Sequence, residues 1–290
     1  MNDIPYVSVI IPVYNDPDGV KRCLKALQAQ QYPSERFEII VVDNNSTPPL
    51  CPKLSSFPGV RCLVETKRGS YAARNRGIRE SNGEVVAFTD ADCIPDPAWI
   101  QAGVSQMCIN DAKLIGGKVE FIFQKRTPNT WEYYDANHFL DQEKYVHELG
   151  IAATANLFVE RTIFDRYGTF NRDLMSGGDV EFTRRASRAG ETIEYAENAV
   201  VHHPARSTFK GLLRKVRRVY TGMIESDIQK GKKIEFPSKI RSWIPTRSVP
   251  NPGAKKLTGK EKIQMYFLYN AIRFTRTFYN VKFYLRQSVQ

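Results

Sequence analysis

The stretch EVVAFTDADC (residues 84–93) is the most informative part of this chain for both fold and site. An apolar run ends there in two carboxylates. The run EVVAF (84–88) predicts a buried strand. Asp90 and Asp92, separated only by Ala91, leave that strand together, and their like charges repel. A hard divalent cation with oxygen ligands, Mg or Mn, resolves this conflict and commonly carries a substrate's phosphates. A pair of solvated loop aspartates is the alternative, and the motif alone does not decide between the two.

Strand and helix signals alternate on either side of this stretch. Further strands are predicted at VSVIIPVY (7–14), FEIIVVD (37–43) and VRCLVE (60–65), and helices begin at Asp16-Pro17 and after Gly69. This order predicts an α/β fold with a mostly parallel sheet and helices on both faces. Ligands of such sheets bind beyond the carboxyl ends of the strands. The polar residues predicted to lie at those ends are Asn15, Asp43, Asp90 and Asp92.

The second half of the chain has a less regular pattern. One amphipathic helix is predicted over residues 127–145, and a pair of short strands is predicted over 191–204. A helix over 179–190 carries Asp and Glu in its first turn, which suits the helix dipole. The remaining predictions are strands at 116–123 and 153–160 and a helix at 161–168.

Composition and cysteine spacing limit the class of protein. The 290 residues suffice for one large domain and an appendage. No run approaches the ~20 apolar residues that span a bilayer, and no cleavable signal is expected at the N-terminus. The absence of a CxxC pair argues against a zinc knuckle and against a disulfide framework, and it fits a reducing compartment. The five cysteines are Cys23, Cys51, Cys62, Cys93 and Cys108.

The net charge of +11 is concentrated in the C-terminal tail. Residues 205–290 contain 20 Lys and Arg against 4 Asp and Glu, whereas the rest of the chain has 22 against 27. Two basic amphipathic helices are predicted at 206–223 and 262–287, with a Pro/Lys-rich loop at 237–256 between them. Such helices suit an anionic membrane surface. The alternative is that the last helix packs on the catalytic domain or forms a homodimer.

Seven segments follow one another along the chain: SVIIPVYN (8–15), EIIVVDNNS (38–46), GSYAARNRGI (69–78), VVAFTDADC (85–93), ATANLFVERTIFDRYGTF (153–170), SGGDVEFTRRASRAG (176–190) and VVHHPARS (200–207). In this order they resemble the family 2 glycosyltransferases of the GT-A fold, over about Val7 to Arg218. The SGGDVEF form is common among bacterial transferases of exopolysaccharide or O-antigen assembly. The resemblance implies a Rossmann-like sheet with a nucleotide-sugar-binding half (1–110), an acceptor-binding half (111–205) and a basic helical tail (206–290).

The resemblance also implies inverting transfer of one sugar from a nucleotide-sugar, most often a UDP-sugar, to a hydroxyl of a glycan or lipid-linked acceptor. It further implies that a metal, Mn or Mg, is bound by Asp92 with Asp90 and His203, with His202 as the alternate histidine. A divalent ion stabilises the charge that develops on the leaving diphosphate. The nucleotide-sugar site implied by the resemblance contains Pro12, Tyr14, Asn15, Asp43 (toward the uracil N–H), Arg68, Arg74, Asn75, Asp90, Ala91 and Asn156.

The attacking hydroxyl needs a carboxylate base, and the resemblance assigns this role to Asp179. The family often has Glu-Asp where this chain has Gly178-Asp179, which leaves Glu181 open as the base. Simple N-capping of the helix is the alternative for Asp179. For Asn156 the alternative is a satisfied amide in the core.

Other protein classes fit the sequence less well. A nucleic-acid-binding protein is disfavoured, since no RRM, KH or zinc motif accompanies the basic tail. A nucleotidyltransferase would carry a Gly-rich, Lys-containing loop where this chain has VYNDPDG (13–19). A catalytically inactive scaffold that binds nucleotide-sugars, and a polyanion-binding role for the tail, remain alternatives. We expect a cytoplasmic enzyme, peripherally associated with the inner face of the membrane, with no nucleic-acid partner.

Overall fold

The computed structural model describes residues 4–237, 244–246 and 250–288. The chain divides into two compact units, of which the larger comprises Met1–Ile122 and Leu140–Pro204, and the smaller comprises Phe123–Phe139 and Ala205–Gln290. Strands from both predicted halves, 1–110 and 111–205, join the single sheet of the larger unit. Residues 123–139 belong with the tail instead.

The described residues form eight strands and ten α-helices. The strands are β1 (Val7–Val13), β2 (Phe37–Asp43), β3 (Val60–Val64), β4 (Val85–Thr89), β5 (Ile94–Pro95), β6 (Leu114–Ile122), β7 (Asn156–Glu160) and β8 (Ile193–Pro204). The helices are α1 (Pro17–Gln28), α2 (Cys51–Leu54), α3 (Ser70–Glu80), α4 (Trp99–Asn110), α5 (Thr130–His138), α6 (Gln142–Leu149), α7 (Arg161–Tyr167), α8 (Gly178–Arg188), α9 (Phe209–Gln229) and α10 (Gly259–Ser288).

The sheet of the larger unit has the order β3-β2-β1-β4-β7-β6-β8-β5. Strands β1 to β4 are parallel, as predicted, with Val7 opposite Phe37 on one side and Val85 on the other. Strand β7 then runs antiparallel to both β4 and β6, so the complete sheet is mixed. Because β1, β2 and β4 point the same way, their carboxyl ends meet at one edge.

The apolar residues of β1 fill both faces of the sheet. Val9 and Ile11 belong to one hydrophobic cluster and Ile10 to another, as the two-residue period of a strand requires. The helices cover these two clusters, so the strands read as continuous apolar runs. This double burial makes the sheet edge a rigid platform for the side chains that follow each strand.

Two secondary-structure predictions were wrong. Residues 127–145 form two helices, α5 and α6, because Leu140 takes a positive φ of 58° and Asp141 caps α6 by accepting from the N–H of Lys144. Residues 191–204 contribute one strand, β8, which stays paired with β6 through a register shift after Gly117. A bulge of this kind lets one strand continue past extra residues.

The expectation drawn from the cysteine spacing also needs correction. Cys51 and Cys62 form a disulfide that joins α2 to β3, with their Cα atoms 5.4 Å apart. Spacing along the sequence gave no signal for this pair, since the contact arises from the packing of a short helix beside an edge strand. The disulfide removes the support that the cysteines gave to a reducing compartment.

The smaller unit is helical. Asn129 and Glu132 form a capping box at the start of α5, and an apolar cluster joins α5 to α9 and α10. In this unit Lys215 donates to the buried Asp135 at 2.8 Å, and burial lowers the pKa of Lys215. Part of the predicted loop 237–256 lies outside the described residues. Among the described helices, none is long and apolar enough to cross a membrane.

Candidate active site

The carboxyl end of β2 carries a buried carboxylate that organises the loop behind it. Asp43 is 1% exposed, and its two oxygens accept from the N–H groups of Ser46 at 2.9 Å and Leu50 at 2.8 Å. The adjacent Asn44 accepts from the N–H of Gly69 at 2.7 Å. Both side chains therefore hold loops at the edge where a nucleotide is expected. The role of Asp43 toward uracil stays a prediction.

The turn after β1 borders the same edge. Asn15 adopts a positive φ of 52°, donates its N–H to the Ser46 hydroxyl at 2.9 Å and accepts from the N–H of Thr47 at 2.8 Å. Beside it, Arg68 donates to the hydroxyl of the exposed Tyr14 at 3.0 Å, with its guanidinium carbon 5.3 Å from the ring centre. These two side chains offer a cation and an aromatic face to a nucleotide.

A buried arginine pairs with the first aspartate after β4. Arg74 of α3 is 3% exposed and donates through Nη2 to Oδ1 of Asp90, whose side chain is 36% exposed. Within the described residues, the buried Nε of Arg74 has no hydrogen-bond partner. A buried donor without an acceptor is costly, so this guanidinium has unused capacity for an anionic group such as a phosphate.

Two carboxylates and one imidazole meet beside this pair. Asp90, Asp92 and His203 each offer one ligand atom, and these atoms lie within 4.8 Å of one another. The Nε2 atom of His203 is 3.9 Å from Oδ1 of Asp92. His202 instead lies with Nε2 2.9 Å from Oδ1 of Asp96. Neighbouring strand residues point to opposite faces, so β8 brings His203, and not His202, to the cluster.

The ligand atoms of this cluster suit a divalent cation. Carboxylate oxygens are the ligands that Mg and Mn prefer, and an imidazole is compatible with Mn. Cys93, the fourth member of the cluster, is fully buried, and burial raises the pKa of its thiol well above the usual range, with the charges of Asp90 and Asp92 adding to the shift. A thiol is a soft ligand, so the carboxylate oxygens and the imidazole nitrogen suit Mg or Mn better than the sulfur of Cys93 does.

Asp179 lies in the first turn of α8 and accepts four hydrogen bonds. Its Oδ1 accepts from the Tyr71 hydroxyl at 2.8 Å and from the N–H of Val180 at 2.9 Å. Its Oδ2 accepts from the N–H and the hydroxyl of Thr154 at 3.1 and 3.3 Å. Burial, and next the charge of Asp179, raise the pKa of Tyr71, so its hydroxyl stays a donor. The N-cap of α8 is Gly177, so Asp179 is oriented by neutral donors rather than serving as the cap.

The second carboxylate of α8 has a cationic partner. Glu181 accepts from Nε and Nη2 of Arg185 at 3.0 and 3.1 Å. The same guanidinium donates to the carbonyls of Tyr167 and Thr169. Both oxygens of Glu181 are thus held by charge-assisted hydrogen bonds to one guanidinium. These contacts distinguish Glu181 from Asp179.

A short contact path through α3 joins the two groups of carboxylates. Tyr71 donates to Asp179, and the guanidinium of Arg74 lies 5.6 Å from the centre of the Tyr71 ring and pairs with Asp90. Tyr71 and Arg74 are three residues apart, so they lie on one face of the helix. The cluster at Asp90 and the carboxylate of Asp179 are thus neighbours in one site.

The amide of Asn156 is used entirely inside the protein. It is fully buried, accepts from Nε1 of Trp99 at 2.8 Å, and donates to the carbonyls of Lys118 at 2.8 Å and Ala199 at 2.7 Å. This arrangement fits the alternative of a satisfied core amide, since neither end of the amide is left for a sugar.

Three further residues expected at the nucleotide also have interior positions. Asn75 donates to the carbonyl of Phe170 at 2.7 Å and accepts from its N–H at 3.1 Å, and thereby holds the loop after α7. Pro12 and Ala91 are buried in β1 and in the turn between the two aspartates. Any contribution of these residues to donor binding remains a prediction.

Tyr71, Thr154 and Asn44 contact or support the site, although no site role was predicted for them from the sequence. One signal could have identified Tyr71, because it stands one helical turn before Arg74 on the same face of α3. Thr154 carries no such signal, because the loop before β7 meets α8 only in the folded chain.

The sequence comparisons agree with this geometry. Residues 8–168 match the family described as Glycosyl transferase family 2. Glycosyltransferase AglE of Haloferax volcanii is 37% identical over 257 residues, which are 86% of this chain and 83% of AglE. Pre-mycofactocin glycosyltransferase of Mycobacterium tuberculosis is 26% identical over 216 residues, and the match spans 44% of its length.

Solved structures confirm the expected GT-A architecture. S. aureus TarS 1–349 in complex with UDP has a TM-score of 0.54 at 18% identity, over 76% of this chain and 65% of that one. Mannosyltransferase PcManGT from Pyrobaculum calidifontis, in complex with GDP-Man and Mn2+, has a TM-score of 0.58 at 17% identity, over 99% and 76%. Identities this low show the fold alone. The match over more than half of the chain, together with the 37% identical relative, shows that this protein belongs to glycosyltransferase family 2.

Proposed function

We propose that the larger unit transfers one sugar, with inversion, from a UDP-sugar to a hydroxyl of a glycan or lipid-linked acceptor. The observation that carries this proposal is the contact path from Asp90 through Arg74 and Tyr71 to Asp179. It sets a group of metal-ligand type, suited to a leaving diphosphate, beside a carboxylate suited to proton abstraction.

On the donor side, Arg74 and Arg68 would bind the diphosphate, because a guanidinium matches phosphate oxygens and Nε of Arg74 is buried without a partner among the described residues. A Mn or Mg ion held by Asp90, Asp92 and His203 would supply Lewis-acid stabilisation of the leaving group. The exposed ring of Tyr14 would border the nucleotide.

On the acceptor side, Asp179 would take the proton of the attacking hydroxyl. The oxygen of that acceptor hydroxyl then bonds to the anomeric carbon of the donor sugar as the bond from that carbon to the phosphate oxygen breaks. This single displacement inverts the anomeric centre. Tyr71 and Thr154 orient the carboxylate. Among the described residues, no ion pair with a cationic side chain holds Asp179 as Arg185 holds Glu181. Glu181, paired with Arg185, is the weaker candidate for the base.

The donor nucleotide must be distinguished between UDP and GDP, because TarS was solved with UDP and PcManGT with GDP-Man.

We also propose that the protein is cytoplasmic and peripheral, and that it binds its acceptor at the inner face of the membrane. This part of the proposal is supported by the net positive charge of residues 205–290. A homodimer remains the alternative use of the tail.

The experiment is a thermal-shift panel of UDP, GDP, ADP and CDP with Mn, Mg or EDTA, followed by a transfer assay of two variants. We expect a metal-dependent rise of the midpoint with UDP, because a ligand that binds only the folded state stabilises it. Asp179→Asn should keep that rise of the midpoint, but its transfer rate should fall by at least about 100-fold. Glu181→Gln should retain most of the transfer activity. A rise of the midpoint with GDP alone would show that the donor is a GDP-sugar. Full transfer activity of Asp179→Asn would rule out Asp179 as the base and leave Glu181 as the candidate.

A further inference from the structure

Helix α10 has an apolar stripe that no described residue covers. Five large side chains are exposed along it, among them Phe267 at 62% and Phe278 at 61%. At 100° per residue they fall within an arc of about 60° and extend over about 33 Å of helix. The opposite face is buried against α5 and α9 through Met265, Leu268 and Ile272. The exposed stripe consists of Ile263, Phe267, Phe274, Phe278 and Leu285.

Three cations of α9 face the middle of this stripe. Lys210, Arg214 and Arg217 line a groove with a cavity volume of about 600 Å³, whose other wall is Phe274 and Phe278 of α10. The three cations recur at intervals of four and three residues, so they share one side of α9. In the part of the chain that the structure describes, no carboxylate pairs with any of them.

Lys210, Arg214 and Arg217 therefore balance no carboxylate among the described residues of the smaller unit. The fourth cation of the same stretch, Lys215, points inward and is matched by Asp135. The three outward cations instead line a groove with the exposed rings of Phe274 and Phe278. Contiguous exposed apolar surface of this kind marks a site of interaction with a partner or a membrane. A basic and aromatic face of this kind matches the boundary between lipid headgroups and acyl chains.

We propose that the α9–α10 face, formed by the groove and the exposed stripe, docks on an anionic lipid bilayer. The cations contact headgroup phosphates while the stripe enters the apolar boundary. A second copy of this chain fits the face less well, since a symmetric pairing would bring Lys210, Arg214 and Arg217 against like charges. This face would be the surface that holds the peripheral protein at the membrane, as the proposed function requires. Docking needs neither donor nor metal, so its failure can be distinguished from failure of the transfer reaction.

The test is cosedimentation of the full chain with vesicles of phosphatidylcholine, with and without phosphatidylglycerol. We expect binding to the anionic vesicles, reduced on the order of 100-fold in the triple variant Lys210→Gln, Arg214→Gln, Arg217→Gln, because each basic residue near an anionic surface contributes about a fivefold factor. The double variant Phe274→Ser, Phe278→Ser should weaken binding by roughly tenfold or more.

A matched control removes the same number of charges from exposed positions of the larger unit. The variant Arg22→Gln, Lys25→Gln, Lys53→Gln should bind vesicles as the unaltered protein does. Equal loss in this control would overturn the proposal in favour of unspecific attraction, and absence of binding by the unaltered protein would also overturn it. So would a concentration-dependent dimer in light scattering that Phe274→Ser, Phe278→Ser dissolves, because the stripe would then be covered by a second copy.

Discussion

The two aspartates after β4 should respond differently when each loses its charge in the absence of metal. Asp90 is the partner of Arg74, a guanidinium that is 3% exposed, whereas Asp92 lies 3.9 Å from His203. Asp90→Asn therefore leaves a buried cation uncompensated, whereas Asp92→Asn leaves the Arg74–Asp90 pair intact. The spacing of the two aspartates alone does not distinguish them, whereas their contacts in the structure do.

The magnitude follows from the burial of the pair. Breaking a buried ion pair by removing one partner costs about 3–5 kcal/mol. Because the Asp90 side chain is 36% exposed, water screens part of the interaction, and we expect about 2–3 kcal/mol. For a unit of this size that corresponds to a midpoint lowered by roughly 5–10 °C. For Asp92→Asn we expect a change within about 2 °C.

The assay is thermal denaturation of both variants in EDTA, repeated with Mn and UDP. In EDTA only the variant Asp90→Asn should have a lower midpoint than the unaltered protein. Mn and UDP should raise the midpoint of the unaltered protein but not that of Asp92→Asn. The double variant Arg74→Met, Asp90→Asn should cost less than the sum of its single changes, because it removes both charges of the pair and leaves neither partner unpaired. Equal midpoints of Asp90→Asn and Asp92→Asn in EDTA would refute this reasoning.

Three further predictions concern neighbouring parts of the larger unit. His203→Gln should weaken the stabilisation by Mn and UDP by roughly tenfold in apparent affinity, whereas His202→Gln should leave it unchanged, as a metal titration of both variants will show. Reduction of the Cys51–Cys62 disulfide should lower the free energy of unfolding by about 2–3 kcal/mol, because the bond closes a short loop; an unchanged urea midpoint with reductant would contradict this. Asn156→Ala should cost about 2–4 kcal/mol in urea denaturation, since it leaves buried polar groups unpaired, and near-native stability with weakened donor binding would support the donor-site role instead.

Most of the sheet was predictable because its signals are local. The strand predicted at 37–43 matches β2 to the residue, and those at 7–14 and 60–65 each exceed β1 and β3 by one residue. Continuous β-branched runs specify strands buried on both faces, and the polar residues after them mark the site edge. Asp90 and Asp92 could be found in this way from the sequence alone.

The features that the sequence left unpredicted depend on contacts between distant segments. Helix α5 joins the smaller unit because its apolar residues meet α9 and α10, which follow more than sixty residues later. The Cys51–Cys62 pairing requires α2 to lie against β3. The choice between His202 and His203 depends on which face β8 turns toward Asp92, and neighbouring residues of a strand give opposite answers to that question.

The departure from the family pattern at Gly178 shows how such a contact changes an interpretation. A Cβ atom at this position would lie 2.7 Å from Cδ2 of Tyr71, too close for the ring to remain in place. The ring is buried, and its hydroxyl is one of the donors that orient Asp179. A glycine before Asp179 is therefore the residue that lets Tyr71 reach the carboxylate. From the sequence the glycine cast doubt on Asp179, but in the structure it accompanies a donor to that residue, while Glu181 is held by Arg185.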